Sequence, residues 1–181
     1  MLTYMGFNGG DNTMGVQFAK GEFVVYGKNG VCCVDDIKTM LFAGVKGTYY
    51  ILKPRLNAGS TVYVPTERED LVSKLRPVIS KKRVDEILLS ATEDEILWND
   101  SKNERAVMFG EILSSGDCNL LMKLLVCIYN KKAEKESCGK HISSTDENAF
   151  RLARELIEDE FSFVLGCTAE KAEDYIAKKF A

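Results

Sequence analysis

Residues 91–105 read ATEDEILWNDSKNER, and this stretch divides the chain into two kinds of sequence. Before it lie short β-branched and aromatic runs of the sort that form strands; after it, apolar residues recur at helical spacing. It also holds the single tryptophan, Trp98, flanked by Glu93, Asp94 and Glu95 on one side and Asn99 and Asp100 on the other. Two readings of that indole follow. It plugs the junction between two domains, with Ile96 and Leu97 buried beside it, or it is a partly exposed, rigid ring offered to a partner.

Upstream, GEFVVY from Gly21, the turn GKNG and then VCCVDDI predict a hairpin. A more irregular stretch containing Gly44 and Gly47 leads to TYYILK, and PRLNAGS turns the chain into TVYVP. In this last strand Val62 and Val64 share one face, while Thr61, Tyr63 and Pro65 take the other. Four short strands joined by Gly-rich turns predict a small antiparallel barrel or curled sheet with at least one open edge, a template for pairing with another chain.

Downstream, Ser80 caps a predicted helix from Lys81 to Ser90 with Val84, Ile87 and Leu88 on one face. A second helix over residues 102–114 buries Met108, Phe109, Ile112 and Leu113, and Gly116 ends it. Asp117 caps a third, carrying Leu120, Leu121, Leu124, Leu125 and Ile128. NKKAEKESCGKH then reads as a polar loop. Ser144 with Glu147 has capping-box spacing and opens the longest helix, whose apolar face is Phe150, Ala153, Ile157, Phe161 and Val164. Gly166 stops it, and Thr168 caps a last helix. The fold class predicted is therefore α+β, a small N-terminal antiparallel β domain followed by an α-helical bundle.

A length of 181 residues suits two small domains, and 45% hydrophobic with 28% charged residues is enough to build real cores. Residues 1–17 are Gly- and Asn-rich without periodicity, and are expected to be a disordered extension or tag. No apolar run is long enough to cross a bilayer, and a cytoplasmic chain is expected. Residues 1–80 hold 9 Lys or Arg against 7 Asp or Glu, and residues 81–181 hold 15 against 20. Neither half is a basic nucleic-acid-binding domain by composition, so any DNA contact is local.

Nothing in the chain has the pattern of an enzyme. The one histidine, His141, lies in a polar segment, and no phosphate-binding glycine motif is present. Cys138 and His141 are spaced C-x-x-H without a second ligand pair, so neither a metal nor another cofactor is expected. The six cysteines lack C-x-x-C pairs and read as reduced thiols. Glu158, Asp159 and Glu160 are taken as a solvated helix face.

The order GEFVVYGKNGVC, YYILK, TVYVP and LRPVIS, continued by ER, EILSSGD and ISSTDENAFRLARELI, resembles the CarD/CdnL family of bacterial transcription regulators. The resemblance runs over about residues 18–165. The N-terminal domain of that family is shared with the transcription-repair coupling factor. The resemblance implies a Tudor-like domain over residues 18–79 that adds its edge strand to the RNA polymerase β subunit. Over residues 80–181 it implies a helical domain lying on promoter DNA at the upstream edge of the melted region. There Trp98 would be wedged into the minor groove, which stabilises DNA already opened or kinked. A monomer acting on polymerase and promoter DNA, away from membranes, is the expectation.

Met40 and Tyr63 stand where the family carries arginines that grip the polymerase, so a more apolar contact is expected, with Tyr50, Tyr63 and Pro65 beside Met40. Basic residues for phosphate contact near the tryptophan arrive only as Lys102 and Arg105, after Asn99 and Asp100. Glu147 and Asn148 occupy positions where basic residues are expected in the long helix. With so few phosphate contacts, binding to free DNA is expected to be near undetectable at physiological salt, with tethering to polymerase supplying the effective concentration.

Overall fold

The computed structural model describes residues 17–90 and 96–180. The expectation of disorder for the N-terminal extension falls outside the described residues, save at Gln17, and so does the Ala91 to Glu95 part of the dividing stretch. The strands are β1 (Phe23–Tyr26), β2 (Val31–Phe42), β3 (Val45–Pro54), β4 (Val62–Pro65) and β5 (Leu75–Pro77), with a single helical turn, α1 (Glu69–Val72), before the last. The helices are α2 (Lys81–Ser90), α3 (Lys102–Ser115), α4 (Cys118–Ser137), α5 (Ser144–Leu165) and α6 (Ala169–Phe180). An α+β chain with its antiparallel sheet first and its helices after is what the residue patterns predicted.

The sheet has five strands, in the order β4-β3-β2-β1-β5, rather than four. The fifth is the short segment around Pro77, which pairs antiparallel with β1. The larger difference is the stretch read as irregular. It is the tip of a long hairpin in which β2 and β3 stay paired to Phe42↔Val45. Ala43 and Gly44, with φ of 49° and 81°, make the turn. Two successive positive φ values match the right-handed twist of the flanking strands, which is why a two-residue link suffices here. A bulge between Val34 and Asp36 shifts the register midway along β2.

One face of the sheet holds a core of Val24, Cys32, Val34, Tyr50, Leu52, Val64 and Leu75. The predicted alternation in β4 holds, with Val64 fully buried and Val62 packed against the same cluster. The helices surround a second core in which Phe109, Leu124, Ile128, Ile157 and Phe161 are buried. Val84, Ile87 and Leu88 of α2 face it as expected, and the Ser80 hydroxyl accepts a hydrogen bond from the Arg83 amide at 3.2 Å. On α3, Phe109 and Leu113 are buried, while Met108 and Ile112 pack at the margin of the core. Asp117 caps α4 by accepting from Leu120, and Leu120 itself lies exposed.

Three expectations are corrected. The segment read as a polar loop is helical through Ser137, because its Lys and Glu residues are good helix formers and nothing before Gly139 interrupts them. The capping box is Ser143 with Asp146, one residue before the predicted pair. Asp159 and Glu160 do not lie on a solvated face: they are 6% and 3% exposed, and they join the helices to the sheet. Asp159 accepts from the Val31 amide at 2.7 Å and pairs with Arg55 at 3.0 Å. Glu160 takes both guanidinium nitrogens of Arg76, at 2.7 and 2.6 Å, and the Ile79 amide at 3.0 Å. Buried carboxylates are tolerable because each of their four oxygens finds a donor from the sheet side.

Candidate docking face and tryptophan site

The outer half of the long hairpin carries an apolar surface. Cross-strand partners share a face, so Met40, Phe42, Val45, Tyr49, Ile51, Tyr63 and Pro65 all point to the same side. Phe42 stacks on Tyr63 with centroids 4.2 Å apart and meets Tyr49 edge-on at 5.8 Å. Such offset and edge contacts hold the rings in one arrangement before any partner arrives. Val45 is 61% exposed and Phe42 38%, with Leu41 at 70% on the opposite side of the tip. Because β4 pairs only with Tyr49 to Leu52, the Val45 to Gly47 backbone has no sheet neighbour on that side among the described residues. An exposed aromatic face beside an open main-chain edge is the equipment for strand addition by a partner protein.

Of the residues expected to bind polymerase, Met40, Tyr63 and Pro65 are brought together here. Tyr50 is not, and this expectation is corrected. It points to the opposite face and is fully buried, its hydroxyl accepting from the Gln17 and Phe18 amides at 2.6 and 3.3 Å. Phe42 and Val45 went unrecognised in the sequence because the turn between them is Ala-Gly rather than Asn-Gly. The apolar alternation Met40, Phe42 was the available signal.

Trp98 lies on the segment that leads into α3 and is partly buried against the helical core. Its indole meets Phe109 edge-on at 6.1 Å, the Arg105 guanidinium lies over the ring at 4.2 Å, and the Lys131 ammonium stands 5.8 Å from its centre. Arg105 was expected among the phosphate-binding residues, and this too is corrected. It is 5% exposed, it pairs through two nitrogens with Asp146 at 2.9 and 3.0 Å, and it donates to the Asn99 carbonyl at 2.6 Å. Burial works against the charge of Asp146, but hydrogen bonds from Arg105 and Ser143 hold its carboxyl below the ordinary aspartate range.

Lys102, by contrast, is exposed at the start of α3. Lys131 was missed because its segment was read as loop. On α4 it comes beside the tryptophan, where it also pairs with Glu134 at 2.9 Å. Trp98, Lys102 and Lys131 thus share one end of the bundle. No group of three or more His, Cys, Asp or Glu among the described residues is placed to hold a metal ion.

A sheet with an open aromatic edge, fastened to a helical bundle, defines a protein-interaction fold, and among the described residues no helix is long and apolar enough to cross a membrane. Residues 18–79 match the CarD-like/TRCF RID domain, an RNA polymerase-interacting domain of transcription-related proteins. The match takes in all five strands and stops just before α2. No curated protein matches the chain.

Proposed function

We propose that this chain is a non-enzymatic, cytoplasmic transcription regulator that docks on the RNA polymerase β subunit through the outer hairpin and sets its helical domain against promoter DNA. The observation that carries the reading is the Phe42–Tyr63 stack on the polymerase-interacting domain, beside an unpaired edge of β3. Met40, Phe42, Val45, Tyr63 and Pro65 supply apolar contact, and the β3 edge supplies main-chain hydrogen bonds. At the other end the indole of Trp98, with Lys102 and Lys131 beside it, contacts the minor groove at the upstream edge of the melted region. Arg105 serves by holding the ring rather than by touching phosphate.

The test is capture of a purified β-subunit fragment by the full chain, compared with Tyr63→Asp, followed by the lifetime of promoter open complexes with and without the protein. Capture by the wild type and loss in the variant, with lengthened open-complex lifetimes, is the expected result. Absence of capture would sink the docking reading. A second reading, an adaptor on polymerase without DNA contact, is favoured by the burial of Arg105 on Asp146. Unchanged lifetimes with intact capture would select it.

A further inference from the structure

The seam between sheet and bundle continues into α3. Arg76 of β5, besides chelating Glu160 of α5, donates from Nε to the Gly116 carbonyl at the C-terminal end of α3, 3.0 Å away. At the same end, Gly27 and Gly116 pack backbone to backbone. A Cβ on Gly116 would lie 3.1 Å from the Gly27 Cα, and one on Gly27 would lie 2.7 Å from the Ser114 carbonyl oxygen. The opposite end of α3 carries Arg105, which lies over Trp98. A helix of this length spans about 20 Å. One rigid element therefore runs from the polymerase-interacting sheet to the indole.

We propose that Arg76 and Glu160 are positioning residues that fix α3 to the sheet, so that α3 acts as a strut setting the distance and angle between the hairpin face and Trp98. The inference rests on the proposed function for its consequence: partner docking at one end would then dictate where the indole is presented at the other. Three features make the seam a fixed joint rather than a hinge. The Arg76–Glu160 pair is bidentate and the Glu160 side chain is 4% exposed. The second arm, Asp159 with Arg55 and the Val31 amide, grips a different strand. Phe163 of α5, finally, is packed between the Phe23 ring at 4.7 Å and the Arg55 guanidinium at 5.2 Å. Two ionic arms that reach different strands, with an aromatic contact one turn further along α5, oppose turning of the sheet against the bundle.

Trp98, as the only tryptophan, is a ready-made fluorescent donor. With a coumarin acceptor replacing the exposed Leu41 side chain, time-resolved energy transfer in the full chain gives the distribution of distances from Trp98 to the hairpin tip. A narrow distribution in the wild type that broadens at least twofold in Glu160→Gln and in Arg76→Gln, while the Trp98 emission maximum stays fixed, is the expected result. An unchanged width in the double variant would overturn the proposal. So would broadening that comes with a shifted emission maximum, because the bundle itself would then have loosened. Should the variants fail to fold, residual dipolar couplings on the wild type decide. One alignment tensor for sheet and bundle supports the strut, and two tensors overturn it. A narrow wild-type distribution in a protein that leaves open complexes untouched supports the strut and counts only against the reading of Trp98.

Discussion

The Arg105 guanidinium lies 4.2 Å from the centre of the Trp98 ring while spending its hydrogen bonds on Asp146 and Asn99. A cation held in this way both stacks on the indole and ties the start of α3 to the start of α5. The reading of Trp98 as a plug between the two halves of the chain is thereby corrected, because its ring packs on the helical core at the end of α3 away from the sheet. One side of the ring is bound to the bundle, and the remainder is left for contact.

Trp98→Ala is expected to destabilise the protein by about 3 kcal/mol, because it removes the ring on which Phe109 and Arg105 pack. In a chain of this size that corresponds to a fall in Tm of about 10 °C. Trp98→Phe keeps most of the apolar body and should cost about 1 kcal/mol. Urea unfolding of both variants checks this. An alanine variant as stable as the wild type would mean that the indole contributes nothing to the fold.

Asp146→Asn should cost about 3 kcal/mol at pH 7, since it leaves the buried Arg105 charge without its partner. The folded carboxyl titrates below its ordinary value of 3.8. Its contribution is thus fully present above that value and is lost as pH falls through the folded one. The stability gap between wild type and variant should stay constant from pH 7 down to about 5 and close only below about 4. Denaturant titrations at stepped pH measure it, and a gap that closes near neutrality would refute the assignment.

On the hairpin, Val45→Glu places a charge on a side chain that is 61% exposed, so stability should change by no more than about 0.5 kcal/mol. Capture of the β-subunit fragment should weaken at least tenfold, or about 1.4 kcal/mol. Lys46→Glu, the next residue of the same strand and exposed on the opposite face, is the comparison. Equal losses in both would point to charge rather than to the aromatic face.

The α+β division, the core faces of α2 and β4, and the glycine ends of α3 and α5 were legible because each rests on local periodicity or on one capping residue. The long hairpin was not, because Ala43 takes a left-handed conformation that its residue type does not advertise. Asp159 and Glu160 were misread for a different reason. Their partners, Arg55, Arg76 and the Val31 amide, lie more than 80 residues away, and a run of three acids looks the same in sequence whether it meets water or a sheet. Arg105 shows the same limit: its spacing from Trp98 suggested a phosphate contact, and only the fold supplies Asp146.

Cysteine chemistry follows burial. The buried Cys32 thiol is pushed up to about 12 by desolvation, with the nearby Asp159 charge adding to it. Cys118 is driven well above its ordinary value by burial and by Glu160. At pH 8 only about one Cys32 in ten thousand is thiolate, too few to serve as a redox sensor. In an iodoacetamide time course read by mass spectrometry, the exposed Cys138 should react first, and Cys32 and Cys118 only as the chain unfolds. Rapid modification of Cys32 in the folded protein would contradict this and support a thiol-sensing role.

Gly30 and Gly139 share a left-handed backbone, with φ of 66° and 68°, but differ in surroundings. A Cβ on Gly30 would sit 2.6 Å from an Asp159 carboxylate oxygen and 3.0 Å from Leu56, whereas one on Gly139 would meet nothing within 4 Å. Gly139→Ala should therefore cost only the backbone conformation, about 1 kcal/mol. Gly30→Ala adds displacement of the carboxylate that holds the Val31 amide, for a total of about 3 kcal/mol. The difference between the two, measured by urea unfolding, isolates the seam from backbone strain. Equal costs would mean that Asp159 can move aside freely, and the second arm of the interdomain joint would lose its rigidity.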